Sequence, residues 1–277
     1  MIDVITEPLA YGTTLRALAE IAVIGVVSGA VGCWIVLYEL SYSAESLAHG
    51  LFPGLVAASL IGAPLLLGGA VGILIASALI VLAGRLAGAS FDTAIAVVIT
   101  ALFGAGVLMA LSPDAPAGLG ELLFGDLLGT TVTEILTAAT IGAAVLVVLW
   151  LLHGRLLAIG FDHDSGPALG ISAGKLNLIL LGLVAATILV AVQGLGNLLV
   201  AAMLVGPAAA ARLLADRVWP MMLSAATVAV AAGFIGIYAS YYLKTAAGAS
   251  VVLALVGCYL LAAGIGLLRS RGAAARH

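Results

Sequence analysis

Charged residues are scarce in this sequence. Asp, Glu, Lys and Arg make up only 8% of the 277 residues, against about 25% in a soluble domain. Apolar residues make up 64%, so too few polar side chains exist to cover a globule in water. The composition excludes an ordinary soluble enzyme, and it also excludes a disordered chain, which requires high charge and low hydrophobicity. With a mean hydropathy of +1.30, the chain is predicted to be an all-α, polytopic transmembrane helix bundle.

Several site types are also missing. Cys33 and Cys258 lie far apart in apolar runs and form neither a metal-binding spacing nor a disulfide framework. The net charge of −3 offers no basic surface for nucleic acid. The segment Gly170–Lys175 has three residues between its glycines where a nucleotide-binding loop has four, and Leu176 replaces the Ser or Thr that would hold magnesium. We therefore predict a protein that is not an enzyme and has no ATPase site of its own.

What is present is a series of apolar runs about as long as a membrane-spanning helix, which needs about 20 residues. Gly62-Ala63-Pro64 interrupts the longest uncharged stretch and predicts a turn there. The run Leu195–Ala211 is short and lies at Gly194-Leu195-Gly196, so a broken or re-entrant segment is an alternative to a full span there. Nine runs are predicted: Ile21–Leu37, Ser46–Ile61, Pro64–Gly84, Ala94–Leu111, Ile135–Leu152, Leu176–Val192, Leu195–Ala211, Val218–Tyr238 and Gly248–Leu268.

The distribution of Lys and Arg predicts the orientation in the membrane. With the N-terminus outside, eight of the ten basic residues fall in inner segments and only Arg16 and Lys244 fall outside, which matches the positive-inside rule. We therefore expect a multi-pass protein of the plasma (inner) membrane, in contact with lipid, with a cytoplasmic C-terminus. Residues 1–16 would form an outer interfacial segment, 17–268 the transmembrane domain and 269–277 a basic cytoplasmic tail. Residues 153–175 form the longest inner loop.

Glu45 and His49 stand four residues apart at the start of the second run, so a helix places them on one face. A carboxylate and an imidazole together suit zinc, manganese or ferrous iron, and ionisable groups within a span are candidates for function. The alternative is a hydrogen bond between the two side chains that caps the span. Glu20 also lies within an apolar run, and a surface ion pair with Arg16, four residues earlier, would explain it.

A second group of polar and helix-breaking residues lies in or beside the run Leu195–Ala211. They either line a gate or satisfy the backbone at a helix break, and the sequence leaves both readings open. These residues are Gln193, Gly194, Gly196, Asn197 and Pro207.

The segment Ser43–Gly54 resembles the signature of the membrane permease subunits of zinc/manganese-type ABC importers, usually Gly-Asp-Ala-Leu-Ser-His followed by Pro-Gly. Further segments are similar to that family in the same order along nearly the whole chain. They are Phe91–Ile95, the outer-loop motif Leu122–Leu128, the cytoplasmic coupling segment Phe161–Gly170, the most specific stretch Gly196–Arg212, and Ser240–Leu243 before Gly248-Ala249.

The resemblance implies a fold like the vitamin-B12-type (type II) ABC importers, with two permease copies around one pathway. It implies Glu45 and His49 as contacts for a transported divalent ion, zinc or manganese and possibly iron, with no permanently bound cofactor. It also implies an extracytoplasmic metal-binding protein outside and two cytoplasmic ATP-binding subunits inside. Those subunits would contact the loop through Phe161, Asp162, Asp164, Ala168, Leu169 and Gly170.

Departures from the family pattern concern the metal and the partners. Glu45 replaces the usual Asp and is one methylene longer, and Ala48 replaces the Ser before the histidine. In the coupling segment, Gly166 and Pro167 disfavour a continuous helix. Two alternatives therefore remain: the same architecture importing a metal chelate or vitamin, and a secondary transporter driven by ions.

Overall fold

The computed structural model describes residues 7–87, 91–113, 125–161 and 172–274. Every regular element in these ranges is a helix, which confirms the predicted all-helical fold. A 3-10 turn at Pro8–Ala10 precedes the α-helices. In chain order they are α1 Gly12–Leu37, α2 Ser41–Gly50, α3 Phe52–Leu60, α4 Leu65–Ala87, α5 Phe91–Ala110, α6 Val132–Phe161, α7 Ala173–Arg212, α8 Val218–Leu243 and α9 Ala247–Ala274.

Seven of these helices, α1 and α4 to α9, are long and apolar enough to cross a membrane. Because lipid offers no hydrogen-bond partner to the backbone, helices of this length are the form that an apolar run takes in a bilayer. The protein is therefore a multi-pass membrane protein. The predicted count of nine is approximate, and the difference arises at the second run and at the paired sixth and seventh runs.

The second predicted run, Ser46–Ile61, is not one helix. α2 ends at Gly50, α3 begins at Phe52, and neither is long enough to cross by itself. Pro53 stands in the first turn of α3, where its missing N–H group is tolerated but would interrupt a continuous helix. The predicted turn after it is confirmed, since α3 ends before Gly62, whose φ of 68° is in the left-handed region.

The sixth and seventh predicted runs lie within one 40-residue element, α7, which is broken at Gly196. Gly196 has φ 71° and ψ 162°, a combination that essentially only glycine adopts. A straight helix of this length would extend for about 60 Å, about twice the thickness of the hydrocarbon core. The break therefore divides α7 into two segments, and the alternative of a broken segment at this place is confirmed.

Side-chain contacts show which helix ends lie together. At one end, the Tyr241 hydroxyl of α8 donates to the Glu7 carboxylate, 3.4 Å away, before α1 begins. At the opposite end, the ring of His153 on α6 lies 5.4 Å from Trp34 and 4.9 Å from Trp219. Arg212 at the end of α7 reaches the carbonyl of Val36 there. The second segment of α7 thus runs in the same direction as α1, while α8 runs in the opposite direction.

The second end also holds Tyr38, directly after α1. Its hydroxyl donates to the Leu156 carbonyl on α6 at 2.8 Å, and burial raises the pKa of Tyr38 to about 12. This bond fixes the end of α1, and hence the start of α2, against α6.

α1 is the centre of the bundle. In an apolar 18-residue stretch of α1, 72% of the residues are buried, against 17% in the corresponding stretch of α9. Glycines allow neighbouring helices to approach α1 closely: a Cβ at Gly29 would lie 2.6 Å from the Ala226 nitrogen of α8. A Cβ at Gly32 would lie 1.9 Å from the Leu204 carbonyl oxygen of α7. α1 and the second segment of α7 are therefore in backbone contact.

Candidate functional site

The first part of the candidate site is one face of α2. Ala44, Leu47 and Ala48 are buried, whereas Glu45 is exposed and His49 is half-buried. Glu45 and His49 therefore share the less buried side of the helix, as their spacing predicts. Among the described residues Glu45 makes no hydrogen bond to His49. The alternative of a Glu–His hydrogen bond that caps the span is therefore wrong.

His49 instead contacts a residue 148 positions later in the chain. Its Nδ1 lies 3.0 Å from Nδ2 of Asn197, and its ring meets the edge of Phe103 on α5 at a centroid distance of 5.4 Å. Asn197 is completely buried, and its Oδ1 has no hydrogen-bond partner among the described residues. The structure thus joins the predicted metal contact His49 to Asn197, which the sequence associates with a gate or helix break.

The helix break lies directly beside this pair. Of the predicted break residues, only Gly196 has non-helical dihedral angles. Gln193 and Gly194 lie in the helical turn before it, and Pro207 lies inside the second segment without ending it. Asn197 is the first residue after the break, so a change in the dihedral angles of Gly196 would move its side chain relative to His49.

Glu20 forms a second polar cluster, on the side of the Gly196 break opposite Asn197. It is completely buried, and its Oε2 is hydrogen-bonded to the hydroxyl of Thr130, in the turn before α6. Its carboxylate lies against Gly194, where a Cβ would be 2.2 Å from Oε1. The predicted surface ion pair with Arg16 is wrong, because Glu20 points into the bundle. The sequence signal for this contact is the acidic Glu20 in an apolar run, but the nearby Arg16 offers a local explanation for it.

Within the part of the chain that the structure describes, no three His, Cys, Asp or Glu side chains come together. A metal bound by one chain would therefore need amide, hydroxyl, carbonyl or water oxygens, or a second copy, to complete its ligands.

Of the predicted coupling residues, the structure describes only the first. Phe161 is the last residue of α6. Asp162, Asp164, Ala168, Leu169 and Gly170 lie outside the described residues, so their role stays a prediction.

Comparison with known proteins agrees with the fold and with the motifs. A manganese import system permease protein, ScaB of Streptococcus parasanguinis, is 30% identical over 89% of this chain and 88% of its own length. A manganese transport system membrane protein, MntC of Halalkalibacterium halodurans, is 31% identical over 92% and 87%. A chelated iron transport system membrane protein, YfeC of Yersinia pestis, is 26% identical over 98% and 94%.

Solved structures give the same result. PsaBC from Streptococcus pneumoniae, determined in complex with a Fab, matches with a TM-score of 0.88 and 28% identity over 95% of both chains. An inward-facing structure assigned to a metal-chelate type ABC transporter matches with a TM-score of 0.72 and 15% identity over 97% of this chain and 90% of that one, which supports the type II permease fold. The family model of the ABC 3 transport family matches residues 10–265, and the chain therefore belongs to that family of ABC transporter permeases.

Proposed function

We propose that this chain is the permease subunit of an ATP-driven importer that moves a divalent transition metal, manganese first, into the cytoplasm. The observation that carries the proposal is the exposed Glu45–His49 face of α2, with His49 in contact with Asn197 beside the break in α7. The manganese permeases to which the chain is similar favour manganese over zinc as the cargo.

The proposed pathway lies between two copies of the chain. Glu45 and the neighbouring Tyr42 are exposed in the single chain, although they belong to a helix whose other side is buried in the bundle. An ionisable residue in contact with lipid is unfavourable, so this face would instead face water or a second copy. A homodimer would bring two such faces together, and carboxylates from both copies would complete the ligands of a passing ion.

Asn197 would select the tautomer of His49. In the present arrangement its Nδ2 faces Nδ1 of the imidazole, which leaves the ring proton on Nε2. A 180° turn of the amide would present the unpartnered Oδ1 to Nδ1–H instead. The Nε2 lone pair would then be free for the metal, as for histidine ligands whose other nitrogen donates to a carbonyl or carboxylate.

The remaining subunits follow from the family. Two cytoplasmic ATP-binding subunits would contact the segment between α6 and α7, which is shorter than the predicted loop 153–175 because α6 extends to Phe161 and α7 begins at Ala173. An extracytoplasmic metal-binding protein would deliver the ion at the opposite end. In this proposal the end with Glu7 and Tyr241 would lie outside and the end with His153 and Arg212 in the cytoplasm, as the Lys and Arg count predicts. ATP binding inside and the loaded receptor outside would shift the populations of two bundle conformations.

The test is uptake of a panel of metals in a host without its own manganese and zinc importers. The host would carry the complete transporter with wild-type chain, Glu45→Ala, His49→Ala, or the control Tyr42→Phe. We expect wild type and Tyr42→Phe to accumulate manganese and the two alanine variants to lose accumulation at equal protein level. Manganese uptake that survives both alanine substitutions would exclude this ion path.

The similarity to a chelated iron permease favours one second candidate, an iron chelate as cargo. A chelate carries its own ligands and would not require His49. Iron accumulation that depends on an added chelator and survives His49→Ala would support this candidate, whereas uptake of the free ion would exclude it.

A further inference from the structure

Glu20 is a completely buried carboxylate that the proposed ion path through His49 does not use. Its Oε1 has no hydrogen-bond partner among the described residues, and Oε2 is bonded only to Thr130. A buried charge without a partner is strongly unfavourable, so something else has to neutralise this group.

Among the described residues, none supplies a positive charge to Glu20. Glu134, at the start of α6, adds a second negative charge nearby, and its carboxylate is held by the backbone N–H and hydroxyl of Thr131. Arg16 is on the same helix but makes no ion pair with Glu20 in the described structure. The first segment of α7 also ends at Gly196 beside Glu20, and the end of a helix carries a partial negative charge on carbonyls that lack intrahelical partners.

The hydrogen-bond distances of Thr130 fit a protonated Glu20. The Thr130 hydroxyl has one proton, yet its Oγ1 is within hydrogen-bond distance of two acceptors, Glu20 Oε2 and the Leu127 carbonyl at 3.0 Å. Both contacts are satisfied if Glu20 is a neutral acid that donates to Thr130, which in turn donates to Leu127. The free oxygen, Oε1, then faces Gly194 at the end of the first helical segment.

We propose that Glu20 is the carboxylate ligand of a second cation site, on the opposite side of the Gly196 break from His49. The other ligands that we assign to it are oxygens: the Thr130 hydroxyl, which is bonded to Glu20, and main-chain carbonyls at the end of the first α7 segment, where Gly194 lies against the carboxylate. The carbonyl oxygens of Gly194 and Leu195 lie 2.7 and 2.4 Å from the position of a Cβ at Gly125, so only a residue without a side chain can pack this closely against them. Binding of a divalent ion releases the proton: Glu20–COOH + M²⁺ gives Glu20–COO⁻·M²⁺ + H⁺.

An all-oxygen site predicts a preference among metals. Carboxylate and carbonyl oxygens suit manganese, calcium and magnesium, whereas zinc is favoured by imidazole and thiolate. The Glu20 site would therefore favour zinc over manganese less than the His49 site does. This inference rests on the proposed metal import and places a selective step before His49.

The two sites are coupled through α7. Gly194 contacts Glu20, Asn197 contacts His49, and Gly196 lies between them. A rotation at the break that draws one contact closer would displace the other, which would let the ion move from the first site to the second.

The test measures Mn²⁺ binding to the purified transporter complex by electron paramagnetic resonance of free Mn²⁺, with proton release followed in weak buffer. Wild type, His49→Ala, Glu20→Gln and the double variant are compared, with Thr140→Ser, at an exposed threonine of α6 outside the site, as the control. Glu20→Gln keeps the shape and can still donate to Thr130. We expect two classes of sites in wild type, and Glu20→Gln should weaken one class at least about tenfold, which is about 1.4 kcal/mol.

His49→Ala should remove the other class, and the remaining class should release a proton and be displaced by Zn²⁺ less readily than the His49 class. Glu20→Asp should retain proton-coupled binding, which separates loss of charge from a change in shape. Identical Mn²⁺ binding and proton release in wild type and Glu20→Gln would overturn the proposal and leave Glu20 as a neutral structural acid. Failure of the proposed function looks different, because the wild-type complex would then neither bind nor accumulate Mn²⁺.

Discussion

Replacement of Asn197 by Leu tests whether the amide prepares His49 for metal. Leu has a similar volume, so the change removes the polar group and leaves no large cavity. The structure predicts a specific loss, because Asn197 is completely buried and lies 3.0 Å from His49 Nδ1. Removal of such an outer partner typically weakens metal binding by about 10–100-fold, or about 1.4–2.7 kcal/mol. This range agrees with the cost of about 1–3 kcal/mol for an unpartnered buried polar group.

The assay is the concentration dependence of manganese uptake by the complete transporter, with Mn²⁺ affinity measured on the purified complex. Asn197→Asp should retain affinity, because a carboxylate accepts the Nδ1 proton of His49 as well as an amide oxygen does. Leu198→Ala, at the next position of α7 and largely exposed, is the matched control and should behave as wild type. Equal affinities of wild type and Asn197→Leu would refute the argument, and so would an equal loss in the Leu and Asp variants.

Three further predictions concern the framework around the site. Gly196→Ala should lower the free energy of unfolding by about 1–3 kcal/mol, since φ 71° with ψ 162° is essentially restricted to glycine. A melting temperature of the purified complex equal to that of wild type would contradict this. Gly32→Ala should destabilise by about 1–3 kcal/mol, because the new Cβ would lie 1.9 Å from the Leu204 carbonyl oxygen, while Gly182→Ala, with no atom within 4 Å, should leave the melt unchanged. Tyr38→Phe should cost about 0.5–1.5 kcal/mol through loss of its 2.8 Å hydrogen bond to α6, and a melt identical to wild type would show that the bond contributes nothing.

The helices were predictable where lipid alone decides the structure. Runs of apolar residues became α4, α5, α6, α8 and α9, because a bilayer requires internally bonded backbone. The turn at Gly62 followed from a local Gly-Ala-Pro signal. The separation of α2 from α3 was missed, since Pro53 lies in an otherwise uniform apolar run. α7 was predicted as two segments, and the structure shows two helical segments joined at the non-helical Gly196.

The sequence by itself determined the membrane class, the helical fold, the family motifs and the shared face of Glu45 and His49, since all of these depend on composition or on spacing within one helix. Only the tertiary structure decided the partners of the polar groups. Glu20 contacts Thr130, 110 residues away, and not Arg16 at the adjacent turn; His49 contacts Asn197, 148 residues away, and not Glu45. Helical periodicity relates residues on one helix, whereas these contacts depend on how closely α1 and α7 approach through their glycines and on where Gly196 breaks α7.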